Sequence, residues 1–289
     1  MLIEEHVRAT LLEDLGRAGD VTSAATIPVG ATASVVIASR DEGTLAGIAF
    51  AATAFRLMDP TLRFEAEAAD GDALASGQVI ARIEGAARSV LSAERVALNY
   101  LMHLSGVATH TRRFADAIAH TDARVCCTRK TLPGLRSAEK YAVRCGGGSS
   151  HRFGLDDAIL IKDNHIAVCG GVREAVEAAR AYAGHLMSVE VEVDTIDQLR
   201  EAVSAWPDAV LLDNMAPDLL REGVRIVRDS GRRIAIEASG NVDLDTIAAI
   251  AETGVDYIST SKITMAAPTL DVGLDIDLRS KPFDAAGVS

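Results

Sequence analysis

Eight basic side chains fall within residues 124–162: Arg124, Arg129, Lys130, Arg136, Lys140, Arg144, Arg152 and Lys162. Only Glu139, Asp156 and Asp157 oppose them, in a chain whose formal net charge is −12. A guanidinium fork matches a carboxylate or phosphate, and an ammonium supplies a movable point charge. Such a local excess inside an acidic chain predicts a pocket for a small, highly anionic substrate. Arg124 and Arg136 are expected only to face solvent. A second group is acidic. Glu190, Glu192 and Asp194 alternate, so a strand would turn all three to one face. Left unpaired they would repel and resist ionising. Lys130, Lys162 or a bound Mg²⁺, which prefers oxygen ligands, is expected to offset them.

These residues sit where strands should end. The runs at 123–128, 158–162, 188–193, 209–213, 233–238 and 256–260 are short and rich in branched apolar residues. Helical patterns at 173–183, 195–205 and 244–253 separate most of them. This alternation predicts parallel strands joined by crossover helices, closed or nearly closed into an α/β barrel. Active sites of such barrels lie at the C-terminal strand ends. Here those ends carry Arg129 and Lys130, Lys162, Glu192 with Asp194, Asp213, Glu237 with Ser239, and Ser259 to Ser261. Glu190 is expected at the solvent-exposed bottom of the barrel, and Glu192 in the site. Gly146 to Gly148 predict a loop whose backbone can approach a ligand, flanked by Arg144, His151 and Arg152. The segments 238–242 and 259–264 follow the last two strands, where barrels often hold a phosphate on backbone amides. No GxGxxG or GxSxG motif is present. His103, His110, His120 and His185 are expected at the surface or in packing.

The first third has a different rhythm. Ile3, Val7, Leu11 and Leu12 keep helical spacing. Strand-like runs follow at 33–39, 62–68 and 78–84, with a helix near 48–58 between them. A long helix is expected over about 87–104. Its polar stripe of Arg88, Ser92, Arg95, Asn99 and His103 is free to face a cleft or a partner. The segment 271–278 alternates like an edge strand that returns to this sheet. The fold class expected is α/β. An N-terminal α+β sandwich over 1–107, joined by a C-terminal strand within 271–289, precedes a barrel over 108–270.

A chain of 289 residues, 48% hydrophobic and 24% charged, has a globular composition. Its net negative charge argues against duplex nucleic acid as a partner, and 4% aromatics argue against single-strand stacking platforms. No apolar run is long enough to cross a bilayer. The start is acidic and amphipathic rather than basic then apolar, which predicts no secretory signal and a cytoplasmic protein. Cys126, Cys127, Cys145 and Cys169 lack metal-site spacing and are expected to be buried, reduced thiols.

Residues 128–166, TRKTLPGLRSAEKYAVRCGGGSSHRFGLDDAILIKDNHI, closely resemble the signature of the quinolinate phosphoribosyltransferases. The resemblance continues in 13–23, 91–109, 189–194 (VEVEVD), 211–214 (LLDN) and 237–242 (EASGNV). It implies an N-terminal sandwich plus an incomplete barrel. It also implies a homodimer as the minimum unit, with higher assemblies such as hexamers, and Arg95 reaching the neighbouring subunit's site. The implied reaction joins quinolinate to phosphoribosyl pyrophosphate, requires Mg²⁺, and gives nicotinate mononucleotide, pyrophosphate and CO₂ for NAD biosynthesis. Carried over residue by residue, Arg129, His151, Arg152 and Lys162, with the neighbour's Arg95, would bind the carboxylates. Thr128 joins the substrate-binding set, and Lys130 would contact the phosphoribosyl donor. Glu192 and Asp213 would hold ribose hydroxyls or the metal. Ser239, Gly240, Asn241, Thr260, Ser261 and Lys262 would hold the 5′-phosphate. Lys130, Lys162, Glu192 and Asp213 are the implied catalytic residues. The chain departs from the family pattern at Ser150 (Asn expected), near Ser261 (Gly) and near Met265 (His). A paralogous pyrophosphorylase of the molybdate-transport type, using another acceptor, is the alternative.

Overall fold

In the computed structural model, which describes residues 3–276, the alternating runs of the first third pair as an antiparallel sheet. The chain divides into two compact units, with breaks after Thr109 and after Ala267. The first unit begins with helix α1 (Ile3–Leu15), which buries Val7 and Leu11. Leu12, expected on the same stripe, is exposed. Helix α2 (Val21–Thr26) is capped by Asp20, whose carboxylate accepts the Ser23 N–H. Then follow β1 (Thr32–Ser39), β2 (Gly43–Thr44), α3 (Ile48–Met58), β3 (Arg63–Ala66), β4 (Ala73–Leu74), β5 (Val79–Ala86) and α4 (Ala87–Ala117). The segment Val272–Ile276 pairs antiparallel with β1, giving the order Val272–Ile276, β1, β5, β3. The remainder of the expected 271–289 segment lies outside the described residues.

The core of this unit joins Val35 and Ile37 of β1 and Ile80 and Ile83 of β5 to Phe50 and Phe55 of α3, all buried. Phe55 meets Phe64 with ring centroids 5.8 Å apart, and Phe50 stacks on Tyr100 at 4.7 Å. Each such side chain contributes roughly 1.5–3 kcal/mol on burial. Helix α4 is longer than expected, running 31 residues to Ala117. Gly106 weakens the helical pattern in the sequence, but its role is packing. A Cβ there would lie 2.1 Å from the Pro268 carbonyl oxygen.

The second unit contains β6 (Arg124–Cys127), α5 (Arg136–Cys145), β7 (Ser149–Ser150), β8 (Ile159–Ile161), α6 (Asp163–Cys169), α7 (Val172–Tyr182) and β9 (Val189–Val193). It continues through α8 (Ile196–Ala205), β10 (Ala209–Asp213), α9 (Pro217–Asp229), β11 (Ala235–Ser239), α10 (Ile247–Ala251), β12 (Tyr257–Ser259) and α11 (Lys262–Met265). The seven strands form one parallel sheet in the order β7, β6, β12, β11, β10, β9, β8. β7 and β8 are its two edges and do not pair with each other, so the barrel is incomplete. β7 was expected as loop, because two serines after three glycines carry no alternation of apolar and polar residues. Cys126 and Cys127 are buried, but Cys145 is only half-buried and Cys169 is exposed, against the expectation of buried thiols; none of the four is in a disulfide. Cys169 lies on α6, which buries none of its residues. No helix among the described residues is long and apolar enough to cross a membrane.

Candidate active site

Register explains why acids cluster inside the sheet. Glu190 pairs with Ala209, Glu192 with Leu211, and Leu211 with Glu237. Partners in register share a face, and alternate residues on a strand share it too. Glu190, Glu192 and Glu237 therefore point the same way. His151, just after β7, meets two of them: its Nε2 is 2.7 Å from Glu190 Oε2 and 3.9 Å from Glu237 Oε2. Glu190 is buried, so its expected place at a solvent-exposed barrel bottom is wrong. The His151 partner is what makes its burial tolerable. Glu237 is buried as well, and its Oε1 lacks a hydrogen-bond partner. It lies in the middle of β11 rather than at the strand end.

Lys140 was read only as one member of the basic cluster. It is buried on α5, donating from Nζ to Cys127 Sγ at 3.2 Å and to the His151 carbonyl at 3.0 Å. It therefore pins the segment that carries His151 and Arg152. Arg136 is also more than a solvated charge. Its guanidinium donates to the carbonyls of Arg129 and Phe153, at 3.3 and 3.2 Å. Arg124 is exposed as expected.

Burial pushes the Glu237 carboxyl up to about 7, and the neighbouring Glu190 charge adds to that rise. For His151, burial works downward. The Glu190 hydrogen bond and the charges of Glu237 and Glu190 outweigh it, so the imidazole ends above its ordinary value. Both shifts mean that folding takes up protons. The Glu237 contribution is complete below about pH 4.5 and is lost as pH rises through about 7. That of His151 is complete below about pH 6.5 and is lost above it. Glu237→Gln should therefore flatten the fall of Tm between pH 5 and 8 by roughly 3–6 °C, read by calorimetry. An unchanged slope contradicts the assignment.

The two arginines form no ion pair with these acids among the described residues. Arg129 has a buried Nε without an acceptor. Arg152 donates from Nη1 to the Ala158 carbonyl at 3.0 Å. Burial and the nearby Arg129 charge both hold its pKa below the ordinary value. Neither arginine has a carboxylate ion-pair partner among the described residues. Lys162 pairs directly with Glu192, and its backbone N–H donates to His165 Nδ1 at 3.0 Å. Lys130 is exposed, and its backbone N–H donates to Thr128 Oγ1 at 3.0 Å. A cavity of about 680 Å³ beside β8 includes Arg152 but is mostly lined by apolar residues such as Leu155, Ile161 and Val168. That lining does not suit a multiply charged ligand.

The ends of β10, β11 and β12 form a third group. Asp213 Oδ2 accepts from Asn214 Nδ2 at 2.6 Å. Asn214 and Asn241 both hold left-handed backbone, at φ 53° and 51°. Gly240, at φ 97°, leaves 2.1 Å between a hypothetical Cβ and Asn214 Oδ1. Gly240→Ala should cost about 2–4 kcal/mol of stability from strain and clash; a denaturant midpoint unchanged from wild type contradicts this. Thr260 Oγ1 donates to the Val242 carbonyl at 3.4 Å, tying the loop after β12 to the loop after β11. The Lys262 amine lies 3.4 Å from Asp243. Ser261 has φ −81°, which any residue adopts, so glycine is not required there. Arg95 is exposed on the part of α4 that belongs to the first unit.

Every second-unit residue of the set carried over from the family resemblance thus lies at or near the C-terminal end of a parallel strand. Glu190, Glu237 and Lys140 have places that the sequence did not reveal. The period of two linking Glu190 to Glu192, and an acid in the otherwise apolar run AIEA, were the available signals.

Residues 107–275 match the family described as quinolinate phosphoribosyl transferase, C-terminal domain, and residues 20–105 match its N-terminal domain. The chain belongs to the quinolinate phosphoribosyltransferase family. It is 43% identical over 273 residues to a probable carboxylating nicotinate-nucleotide pyrophosphorylase of Bacillus subtilis, covering 94% of this chain and 93% of the relative. The carboxylating nicotinate-nucleotide pyrophosphorylase of Mycobacterium leprae is 40% identical, with 94% and 96% covered. Among solved structures, the nicotinate-nucleotide pyrophosphorylase of Francisella tularensis superposes with a TM-score of 0.91 at 38% identity, covering 95% of this chain and 96% of that one.

Proposed function

We propose that this member of the family joins quinolinate to phosphoribosyl pyrophosphate, releasing pyrophosphate and CO₂ and forming nicotinate mononucleotide for NAD biosynthesis. The observation that carries the reading is the pair Arg129 and Arg152. They are neighbouring guanidiniums, one with an unsatisfied buried Nε, and neither forms an ion pair with a carboxylate among the described residues, although the charges of Asp157 and Glu190 bear on Arg152. Half-buried cations of this kind suit a small dianion. Lys162 and His151 extend the set, and Arg95 of a neighbouring subunit completes it in a homodimer or larger homo-oligomer.

The chain's residues act by positioning and charge. Arg129, Arg152, Lys162 and His151 bind the two ring carboxylates and hold the pyridine nitrogen towards C1 of the ribose. Lys130 neutralises the phosphoribosyl donor, and Thr128 orders the turn that presents it. The loops at 239–241 and 260–262 bind the 5′-phosphate through backbone amides and the Lys262 amine. Glu192 and Asp213 face the ribose and stabilise positive charge that develops at C1 as pyrophosphate leaves. The quaternised ring nitrogen then makes loss of the adjacent carboxylate as CO₂ favourable, and the ring carbon takes up a proton. No covalent nucleophile is needed.

Mg²⁺ fits the acidic pair. Glu192 Oε1 and Asp213 Oδ1 are carboxylate oxygens without hydrogen-bond partners among the described residues, and hard oxygen donors suit this cation. When bound there it would neutralise the leaving pyrophosphate.

Calorimetric titration tests the pocket's charge requirement. Quinolinate should bind at least about 100-fold more tightly than nicotinate, which lacks one carboxylate and so leaves cations unpaired. Equal affinity for the two would point to another acceptor.

A further inference from the structure

The basic residues explain how an anion is held, but not why a histidine should serve beside arginines. A neutral imidazole whose Nε2–H is donated to a carboxylate has a bare Nδ1, which repels a second anion. Only the doubly protonated ring offers a donor on each side. His151 Nε2 lies 2.7 Å from Glu190 Oε2, with Glu237 Oε2 3.9 Å away. Its Nδ1 has no partner among the described residues. Both glutamates are buried on the inner face of the sheet, where their charges act on the ring with little screening.

We propose that Glu190, assisted by Glu237, is a positioning residue that holds His151 as an imidazolium, so that its Nδ1–H is presented to a substrate carboxylate. The inference rests on the functional reading above and extends it to residues that do not touch the substrate. Four charged groups bear on the ring. Glu190 on β9 and Glu237 on β11 favour the cation. Lys140 on α5 opposes it, and its Nζ bonds the His151 carbonyl at 3.0 Å. Arg152 follows in the chain and adds a further positive charge. The direct Glu190 contact decides the balance, and the upward shift of His151 agrees with it. Lys140 fixes the backbone while Glu190 fixes the ring, so the donor is oriented before the substrate arrives.

Nitrogen-15 labelling of histidine in the full-length protein tests this directly. The His151 signals, assigned with His151→Gln, should titrate at higher pH in wild type than in Glu190→Gln, so that at a pH between the two the ring is an imidazolium only in wild type. In steady-state assays Glu190→Gln should raise the quinolinate KM about tenfold. It should also move the alkaline limb of kcat/KM to lower pH and leave the phosphoribosyl pyrophosphate KM unchanged. Glu190→Asp should recover part of the loss. A His151 that titrates in wild type at or below the ordinary imidazole value overturns the proposal, even if Glu190→Gln fails to fold. So does an imidazolium that persists in Glu190→Gln, or a divalent metal found on His151, Glu190 and Glu237. Absence of quinolinate turnover by wild type would instead fault the functional reading, because the ring's charge is read without turnover.

Discussion

Arg152→Gln is expected to raise the quinolinate KM by about 10²–10³-fold while the protein still folds. Among the described residues the guanidinium makes one hydrogen bond, to the Ala158 carbonyl, and no carboxylate ion pair. Its charge is therefore available to the ligand. Glutamine can keep a donor for the carbonyl but removes the charge and the bidentate fork. Loss of a buried charged partner costs more than loss of a neutral one, because the substrate carboxylate is left desolvated and unpaired. Neighbouring Arg129 keeps the site cationic, so the phosphoribosyl pyrophosphate KM should move little. Steady-state kinetics with each substrate varied, alongside a thermal melt, reads the effect. A near-normal quinolinate KM would remove Arg152 from the acceptor site.

Glu192→Ala is expected to fall on the other parameter. It should lower kcat by about 10²–10³-fold with a smaller change in quinolinate affinity. Glu192 is half-buried and pairs with Lys162 on the neighbouring strand end. Removing it leaves the Lys162 ammonium free, which favours anion binding, but takes away the negative charge needed as C1 becomes cationic. The two effects separate cleanly: acceptor binding survives while the chemical step suffers. A variant with unchanged kcat would show that Glu192 only neutralises Lys162. The Mg²⁺ concentration giving half-maximal rate should also rise, since one of two proposed oxygen donors is lost.

The sequence made the architecture legible because each segment carried its own period. Strands β9 to β12 read as short apolar runs, and helices α7 and α8 read from their apolar stripes. The parallel alternation then placed Arg129, Lys162, Asp213 and Ser239 at one end of a barrel. What failed depended on contacts between distant segments. Glu190 looked like an exposed strand acid, because nothing local reveals that His151 will arrive from β7, 39 residues away in sequence. Lys140 looked like one more cation of the basic cluster, because its Cys127 and His151 partners come from two other strands. Strand β7 is two serines long, too short for a period to show. Helix α4 runs on through Gly106, which serves a close approach to Pro268 rather than a break. Glu237 was visible as an acid in an apolar run, but its midstrand position was mistaken for a strand end.

The most direct test of the central claim follows purified protein with quinolinate and phosphoribosyl pyrophosphate, with and without Mg²⁺, while measuring CO₂ and nicotinate mononucleotide together. The account predicts equal amounts of both products, formed only when both substrates and Mg²⁺ are present. A folded protein that releases neither product, or that forms a nucleotide from another acceptor while ignoring quinolinate, would contradict it.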